Sequence, residues 1–281
     1  MSADEELPLL DALRGLAMLQ QEFLGLALFV ASQGSTTYEG EILTCSLPDA
    51  QRSTSTLLAM GAGQSVESLL HIAKQRGIPV RDAYPIARSA VESFVNASYL
   101  LVESNAVADR AVRYIEFAAW RQHNRKFGSG EYSIEVHTDP DPVSTLASKF
   151  PEFTGKGNGG WTNLDMPSRI RRVGELAGRK AGSRLLAAYG LIYSLSSEVI
   201  HGSPFGVSFF YSAHLKGEDT TKAFIAGTIR QLEEILIAVL HAGCGYLAAF
   251  FEKQKMQVGL DAEEKLFKRL MELSSKPTLV A

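Results

Sequence analysis

Residues 183–203, SRLLAAYGLIYSLSSEVIHGS, are the stretch that decides the expected fold. Most positions are apolar, and Gly202 with Pro204 beyond it is typical of a helix end. One row at helical spacing is small or polar, namely Gly190, Ser194, Ser197 and His201. A helix that is apolar nearly all round is buried. We therefore expect this helix inside a bundle, with its polar row facing another element.

Helical periodicity continues on both sides of this helix. It covers about 5–32, 49–76, 82–104, 106–126, 166–180, 220–256 and 263–273. Between these segments we expect a short extended piece at 41–45, an aromatic loop at 203–217 and a short helix near 143–150. The sequence predicts an all-α protein, a single antiparallel helical bundle of seven to eight helices with one long irregular loop at about 129–164.

Composition is that of an ordinary globular protein. Of the 281 residues, 46% are hydrophobic and 21% are charged, and the net charge is −3. We divide the chain into an N-terminal helix with an irregular connection (1–48), a main helical domain (49–257) and a short C-terminal helix with a frayed tail (258–281). Cys45 and Cys244 make no disulfide framework. These two cysteines, together with an N-terminus that lacks a basic, apolar leader, favour a cytoplasmic protein.

Two apolar runs require a check for membrane spans. Residues 23–31 are too few to cross a bilayer, and 235–251 reach only the lower limit of about 17 residues. The second run also carries His241 at its centre, and polar residues inside a span are rare. We therefore expect a buried core helix and no membrane span.

Residues 155–160, GKGNGG, match Gly-x-Gly-x-x-Gly in letters only. A dinucleotide fingerprint needs a strand before it and a helix after it, and neither is expected here. Trp161 stands where a phosphate-binding P-loop has its lysine. A flexible loop is the better interpretation.

Potential metal ligands are incomplete. Glu198-x-x-His201 resembles half of a di-iron site, but the chain has no second Glu-x-x-His, and only Glu67, His71 and Glu92 could improvise the rest. His241 and Cys244 form an isolated pair that suits a helical core. We expect neither a metal nor another cofactor.

The basic side chains leave two interpretations open. They are Arg169, Arg171, Arg172 and Arg179 on one helix, with Arg121, Arg125 and Lys126 elsewhere. They could bind the phosphates of RNA, or they could form a solvated helix face.

The helix predicted at 82–104 is the expected neighbour of 183–203. It carries a single polar row at steps of three or four residues, made of Arg88, Glu92, Asn96, Tyr99 and Glu103. The row faces either water or the Ser197–His201 row. In the second case Arg88 would pair with Glu92 or Glu198, since a buried guanidinium needs a partner. His201 would then serve as acid or base, because imidazole ordinarily exchanges protons near neutral pH.

These two helices also carry a family resemblance. The order is Ala-Arg-Ser-x-x-Glu-x-x-x-Asn-x-x-Tyr from Ala87, then a tryptophan at Trp161, then Tyr-x-x-Ser-Ser-x-x-x-His-Gly-Ser from Tyr193. Over roughly 55–250 this resembles a widespread, mostly bacterial family known only as a domain of unknown function. The resemblance implies a helical domain of unassigned activity.

A looser likeness is to the HEPN group, the helical nuclease-associated domains of prokaryotic conflict systems. Its RNA-cutting members have an arginine followed by four to six residues and a histidine on one helix. Arg121 is too close to His123, and Arg230 is too far from His241, to match that spacing. Catalysis would need Arg88 on one helix and His201 on another.

Two functions therefore remain in view. The first is a binding or regulatory protein that holds a small molecule, a protein or RNA. A role in prokaryotic defence or stress response is compatible with it, and so is a homodimer. Its ligand-binding residues would be Asn96, Tyr99, Tyr193 and Glu198. The second is a hydrolase of RNA or a nucleotide. Its catalytic residues would be Arg88, Glu92, Ser197 and His201.

Overall fold

Helices dominate the computed structural model, which describes residues 8–74, 80–155, 159–215 and 220–275. The chain is 77% helical, with ten α-helices in the described ranges and two short antiparallel hairpins. The predicted all-α class is confirmed. The predicted count of seven to eight helices is too low, because the short helix at 142–149 adds to the bundle and 204–215, expected to be a loop, is also helical.

The helices and strands are numbered in chain order. Their bounds are α1 (Pro8–Gln33), β1 (Ser35–Tyr38), β2 (Glu41–Thr44), α2 (Asp49–Ile72), α3 (Ala83–Val102), α4 (Asn105–Gln122), β3 (Asn124–Ser129), β4 (Tyr132–His137), α5 (Pro142–Lys149), α6 (Met166–Leu176), α7 (Arg179–Ile200), α8 (Pro204–Leu215), α9 (Thr220–Gln254) and α10 (Gln257–Ser274).

The long helix α9 lies at the centre of the bundle. It packs against α1, α3, α7 and α10, and nearly every residue from 235 to 251 is buried. Gly245 permits a close approach, because a Cβ there would lie 2.7 Å from the Leu185 side chain of α7. On the α1 side, Gln20 Nε2 donates to the Leu240 carbonyl at 2.8 Å. One continuous hydrophobic core therefore includes residues from both terminal helices, α1 and α10.

Two glycines bring α6 and α7 together. A Cβ on Gly182 would lie 2.7 Å from the Cα of Gly174, so a side chain at this crossing would force the helices apart. Gly178 connects them with φ of 90°, a left-handed conformation that favours glycine. The turn lays α6 along α3. This places the α6 arginines beside the polar row of α3.

A second, smaller core lies outside the main one. Phe117, Phe150 and Phe153 are buried together, and Trp120 and Leu146 pack around them. We call residues 113–154, which contain this cluster, the arm. The arm comprises the second half of α4, the β3–β4 hairpin, α5 and a short 3₁₀ turn at Pro151–Phe153.

The predicted long loop at 129–164 is wrong over 132–137, and 142–149 is helical, whereas 138–141 and 159–164 are irregular as predicted. Residues 132–137 form β4, which pairs with β3 in register Ser129↔Tyr132 to Asn124↔His137. The hairpin also ends α4 at Gln122, earlier than the predicted 126. Gly128 and Gly130, both with positive φ, make the tight turn possible. The short helix expected near 143–150 is confirmed as α5.

The predicted aromatic loop at 203–217 is also wrong over 204–215, which is helix α8. Ser203 Oγ accepts a hydrogen bond from the Gly206 N–H at 3.0 Å, so this serine caps the new helix. Pro204 occupies the first turn, where no N–H partner is lost. The Ser-Pro pair therefore starts a helix as well as ending α7.

Two of the described helices are long and apolar enough to cross a membrane. They are Pro8–Gln33 and Gly227–Gln254. The most apolar window of the second is 83% buried inside the protein, which accounts for its composition, whereas that of the first is 39% buried. Length and composition alone are weak evidence for a span in either helix.

Candidate functional site

Arg88 is the best-oriented cation of the α3 row. Its Nε donates to Glu92 Oε1 at 2.7 Å, one turn along the same helix. Its guanidinium carbon lies 4.5 Å from the centre of the Tyr193 ring of α7. The side chain is 19% exposed, and within the described residues no acceptor contacts its terminal Nη groups. Arg88 is thus fixed by a carboxylate and a ring, while its outer edge faces a partly open surface.

Two tyrosines of α7 form the wall beside Arg88. The rings of Tyr189 and Tyr193 are 4.6 Å apart. Burial, and then the neighbouring Tyr193, raise the pKa of Tyr189 to about 12. The Tyr189 hydroxyl therefore stays protonated at neutral pH and acts as a neutral hydrogen-bonding group. Tyr189 therefore adds no charge to the Arg88–Glu92 pair.

The middle of the α3 row is covered by α6. Arg169 Nη1 donates to Asn96 Oδ1 at 2.6 Å, and its Nε donates to the Leu164 carbonyl at 2.9 Å. The same guanidinium lies 4.9 Å from the centre of the Trp161 ring. Burial lowers the pKa of Arg169, which nevertheless stays a cation at neutral pH. Arg169 is therefore a structural clamp between α3 and α6.

The far end of the row is closed in the same way. Arg172 Nε donates to Glu103 Oε1 at 2.6 Å, and Nη1 of the same arginine donates to Glu175 at 2.9 Å. These contacts raise the pKa of Arg172 further above its usual value. Two of the α6 arginines considered for phosphate binding are thus engaged with carboxylates or amides of this chain.

The polar row of α7 lies elsewhere. Gly190, Ser194 and His201 are exposed, and Ser197 is half-buried. The expectation that this helix is buried nearly all round is wrong, because its neighbours cover one side only and leave Leu186 and Ile200 about half exposed. The predicted pairing of the two polar rows is wrong for the part of α3 that α6 covers.

His201 and the residue that Arg88 contacts lie at different positions along α7. Tyr193, which contacts Arg88, precedes His201 by eight residues, or about 12 Å along a helix. His201 ends α7, and its backbone N–H donates to the Ser197 carbonyl at 3.0 Å. Glu198 accepts a hydrogen bond from the Ser203 hydroxyl. Within the described ranges no contact joins His201 to Arg88, and the catalytic roles of Ser197 and His201 stay predictions.

Potential metal ligands do not assemble into a site in the described residues. They contain no group of three or more His, Cys, Asp or Glu side chains that could hold a metal ion. The centre of the glycine motif, residues 156–158, and the tail at 276–281 lie outside the described residues.

Family membership follows from residues 53–219. They match a family of unknown function, DUF5677. The chain belongs to the DUF5677 family. The matched segment contains α2 to α8 and therefore Arg88, Tyr193 and His201, so the predicted membership in a family of unknown function is confirmed. No curated protein and no solved structure matches the chain.

The sequence did not single out Tyr189 or the role of Arg169. Tyr189 precedes Tyr193 by four residues, a spacing that places two rings on one helix face. This four-residue spacing could therefore have identified Tyr189 from the sequence. The contact of Arg169 with Asn96 joins residues 73 positions apart, and no local pattern encodes it.

Proposed function

We propose that this DUF5677 protein is a binding or regulatory module that holds an anionic group of its ligand at Arg88. The observation that carries the proposal is the fixed guanidinium, with Glu92 on one edge, the Tyr193 ring on one face and the Nη edge towards a partly open surface. A preorganised guanidinium loses less freedom on binding, and its paired N–H groups match a carboxylate or phosphate.

The surroundings of Arg88 favour binding over chemistry. The high pKa of Tyr189 keeps its hydroxyl neutral at physiological pH, and Glu92 is occupied by Arg88. A general base must lie within hydrogen-bond reach of the proton that it removes. Of the described titratable side chains, Glu92 and the tyrosines are those that adjoin Arg88. We place the protein in the cytoplasm, a proposal that its two free thiols support.

The alternative proposal is a HEPN-like hydrolase of RNA or a nucleotide that acts through Arg88 and His201. One observation favours it: His201 is exposed at the end of the same helix that carries Tyr193. A substrate that joined the two residues would have to extend about 12 Å along α7. A polynucleotide reaches that far, whereas a single phosphate does not.

Thermal melting with and without ligands tests the proposal. The ligands are inorganic phosphate, a dicarboxylate, nucleoside monophosphates and a short RNA. A bound ligand at one hundred times its Kd adds about 2.7 kcal/mol to the stability of the wild type. We expect Arg88→Ala to abolish the ligand-induced rise in Tm and Arg88→Lys to weaken it. The control Arg269→Ala removes another helix arginine, whose partner Glu272 is three residues away, and should keep the rise.

The same panel decides between the two functions. A rise in Tm that survives Arg88→Ala contradicts binding at Arg88. Cleavage of the RNA by the wild type in this assay is the other informative outcome. If both His201→Ala and Arg88→Ala lose that cleavage without a change in ligand-free Tm, the hydrolase proposal is supported and the binding proposal is rejected.

A further inference from the structure

A cavity of about 300 Å³ lies near the other end of α3, beside the first turns of α4. It is lined by Tyr99, Ala106, Val107, Arg110, Trp161 and Asn163, among others. Tyr99 follows Arg88 by eleven residues, or about 16 Å along a helix, so the cavity is separate from the Arg88 site. Nothing in the proposed function uses it.

The cavity has aromatic walls that are held in place. The rings of Tyr99 and Trp161 are 5.9 Å apart. Arg169 lies against the indole, with its centre 4.9 Å from the guanidinium carbon, and is itself fixed by Asn96. Tyr99 is buried and Trp161 is half-buried. A flat ring entering the cavity would therefore meet an indole that is already oriented, which lowers the entropy cost of stacking.

Positive charge surrounds this aromatic wall. Arg110 lines the cavity, and its Nη2 donates to the Gly160 carbonyl at 3.0 Å while its guanidinium lies 4.7 Å from the centre of the Phe153 ring. Arg169 contributes a second cation behind Trp161. None of the lining residues that the structure describes is acidic. The cavity thus combines a stacking surface with a lining guanidinium.

The other described cavity lacks this combination. It has a volume of about 390 Å³ and lies between α2 and α3. Its described lining consists of Gly, Ser and Gln residues with Pro85 and Ile86, and none of these described residues is charged or aromatic. We therefore regard it as a solvated groove between two helices.

We infer that the Tyr99–Trp161 cavity binds a flat aromatic ring that carries an anionic group, as a mononucleotide or an aromatic carboxylate does. The ring would stack on the indole, and Arg110 would attract the anion. Ligand pockets usually measure about 300–1,000 Å³, so a cavity at the lower limit suits one small ring system. Stacking of a base on an aromatic side chain contributes about 1–3 kcal/mol.

Fluorescence of Trp161 reports on the cavity directly. The chain has 2 tryptophans, and the other one, Trp120, lies in the arm. Trp120→Phe therefore leaves Trp161 as the sole indole. We expect saturable quenching of this variant by AMP or by nicotinate, and at least tenfold weaker binding of adenosine and of inorganic phosphate. Tighter binding of AMP would identify the anionic group as a phosphate, and tighter binding of nicotinate would identify it as a carboxylate.

Two further substitutions in the Trp120→Phe background locate the ligand. Ala106→Leu narrows the cavity from its exposed side and should weaken binding at least tenfold, whereas the control Ala119→Leu, at another exposed alanine of α4, should not. Arg110→Gln should weaken binding of the anionic ligand about tenfold and leave the affinity for adenosine unchanged. Arg88→Ala should leave the quenching unchanged, which separates this site from the proposed function.

Absence of saturable quenching by all four compounds, with a helical circular dichroism spectrum intact, overturns the inference. So does quenching that Ala106→Leu leaves unchanged, because the ligand then lies outside the cavity. Loss of quenching in Arg88→Ala would also overturn the inference, because the ligand would then depend on the Arg88 site and not on a separate cavity.

Discussion

The main core and the arm differ in the side chains that they bury. The main core joins buried residues from seven of the α-helices, many of them alanine, leucine and valine, and α9 is buried along most of its length. The arm has three buried phenylalanines, and cations border them: Arg113 and Lys149 lie 5.5 Å and 5.3 Å from the centre of the Phe150 ring. A core that is thin and bordered by water is expected to open locally without the rest of the protein.

The clearest test of the main core is Phe94→Ala. Phe94 is buried in α3 and packs against Tyr246 of α9, with ring centres 5.8 Å apart. We expect a loss of about 3–5 kcal/mol in the free energy of unfolding, because truncation leaves a cavity between two central helices. Urea denaturation followed by far-UV circular dichroism measures it. Phe205→Ala, at a residue that is 59% exposed, is the control and should have little effect.

A buried ion pair gives the main core its own pH dependence. Arg184 of α7 donates to Glu263 of α10, and both side chains are almost fully buried. Burial raises the pKa of Glu263 from 4.5 to about 7, although Arg184 and a hydrogen bond from it act in the opposite direction. Since the folded pKa lies above the unfolded one, this contribution to stability is complete below about pH 4.5 and is lost as the pH rises through about 7.

We therefore expect the free energy of unfolding to fall by about 1–3 kcal/mol between about pH 5 and about pH 8.5. Glu263→Gln removes the titrating group and should flatten that slope. Glu272→Gln, on the exposed side of the same helix, should leave the slope intact. Urea midpoints measured across this pH range decide the matter, and an equal slope in wild type and Glu263→Gln would exclude the assignment to Glu263.

The smallest global effect is expected in the arm. Phe117 is buried there and stacks on Phe153 at 4.8 Å. Phe117→Ala should lower the global free energy of unfolding by less than about 1 kcal/mol while hydrogen exchange in 113–154 becomes fast, because the arm opens before the bundle does. Ile115→Ala, at an exposed position of the same helix, should change neither. A global loss as large as that of Phe94→Ala would mean that the arm and the bundle unfold together.

The contrast between the two regions also explains what the sequence could predict. The main helices follow from apolar periodicity, and α1, α2 and α3 begin and end within about four residues of their expected bounds. The β3–β4 hairpin of the arm was missed because its strands are short and carry Asn, Lys, Ser, Glu and His between their apolar residues. Two positive-φ glycines, not periodicity, decide that these residues form a hairpin.

The candidate site shows the same limit. The pairing of Arg88 with Glu92 was predictable, because the two residues lie one turn apart on one helix. The contact of Arg88 with Tyr193 and the covering of Asn96 by Arg169 depend on how three helices pack. Periodicity tells which side of a helix is polar. It does not tell which sides a neighbouring helix will cover, and the exposed face of α7 is the result.

The position of α9 has a consequence for the family as a whole. The DUF5677 match ends at residue 219, and the helix that fills the centre of this protein begins at Thr220. The unit that is recognised by sequence is therefore smaller than the unit that folds. A relative whose chain stopped at the end of the match would present an apolar groove between its counterparts of α3 and α7. The apolar faces of α3 and α7 would then be uncovered unless another helix took the place of α9.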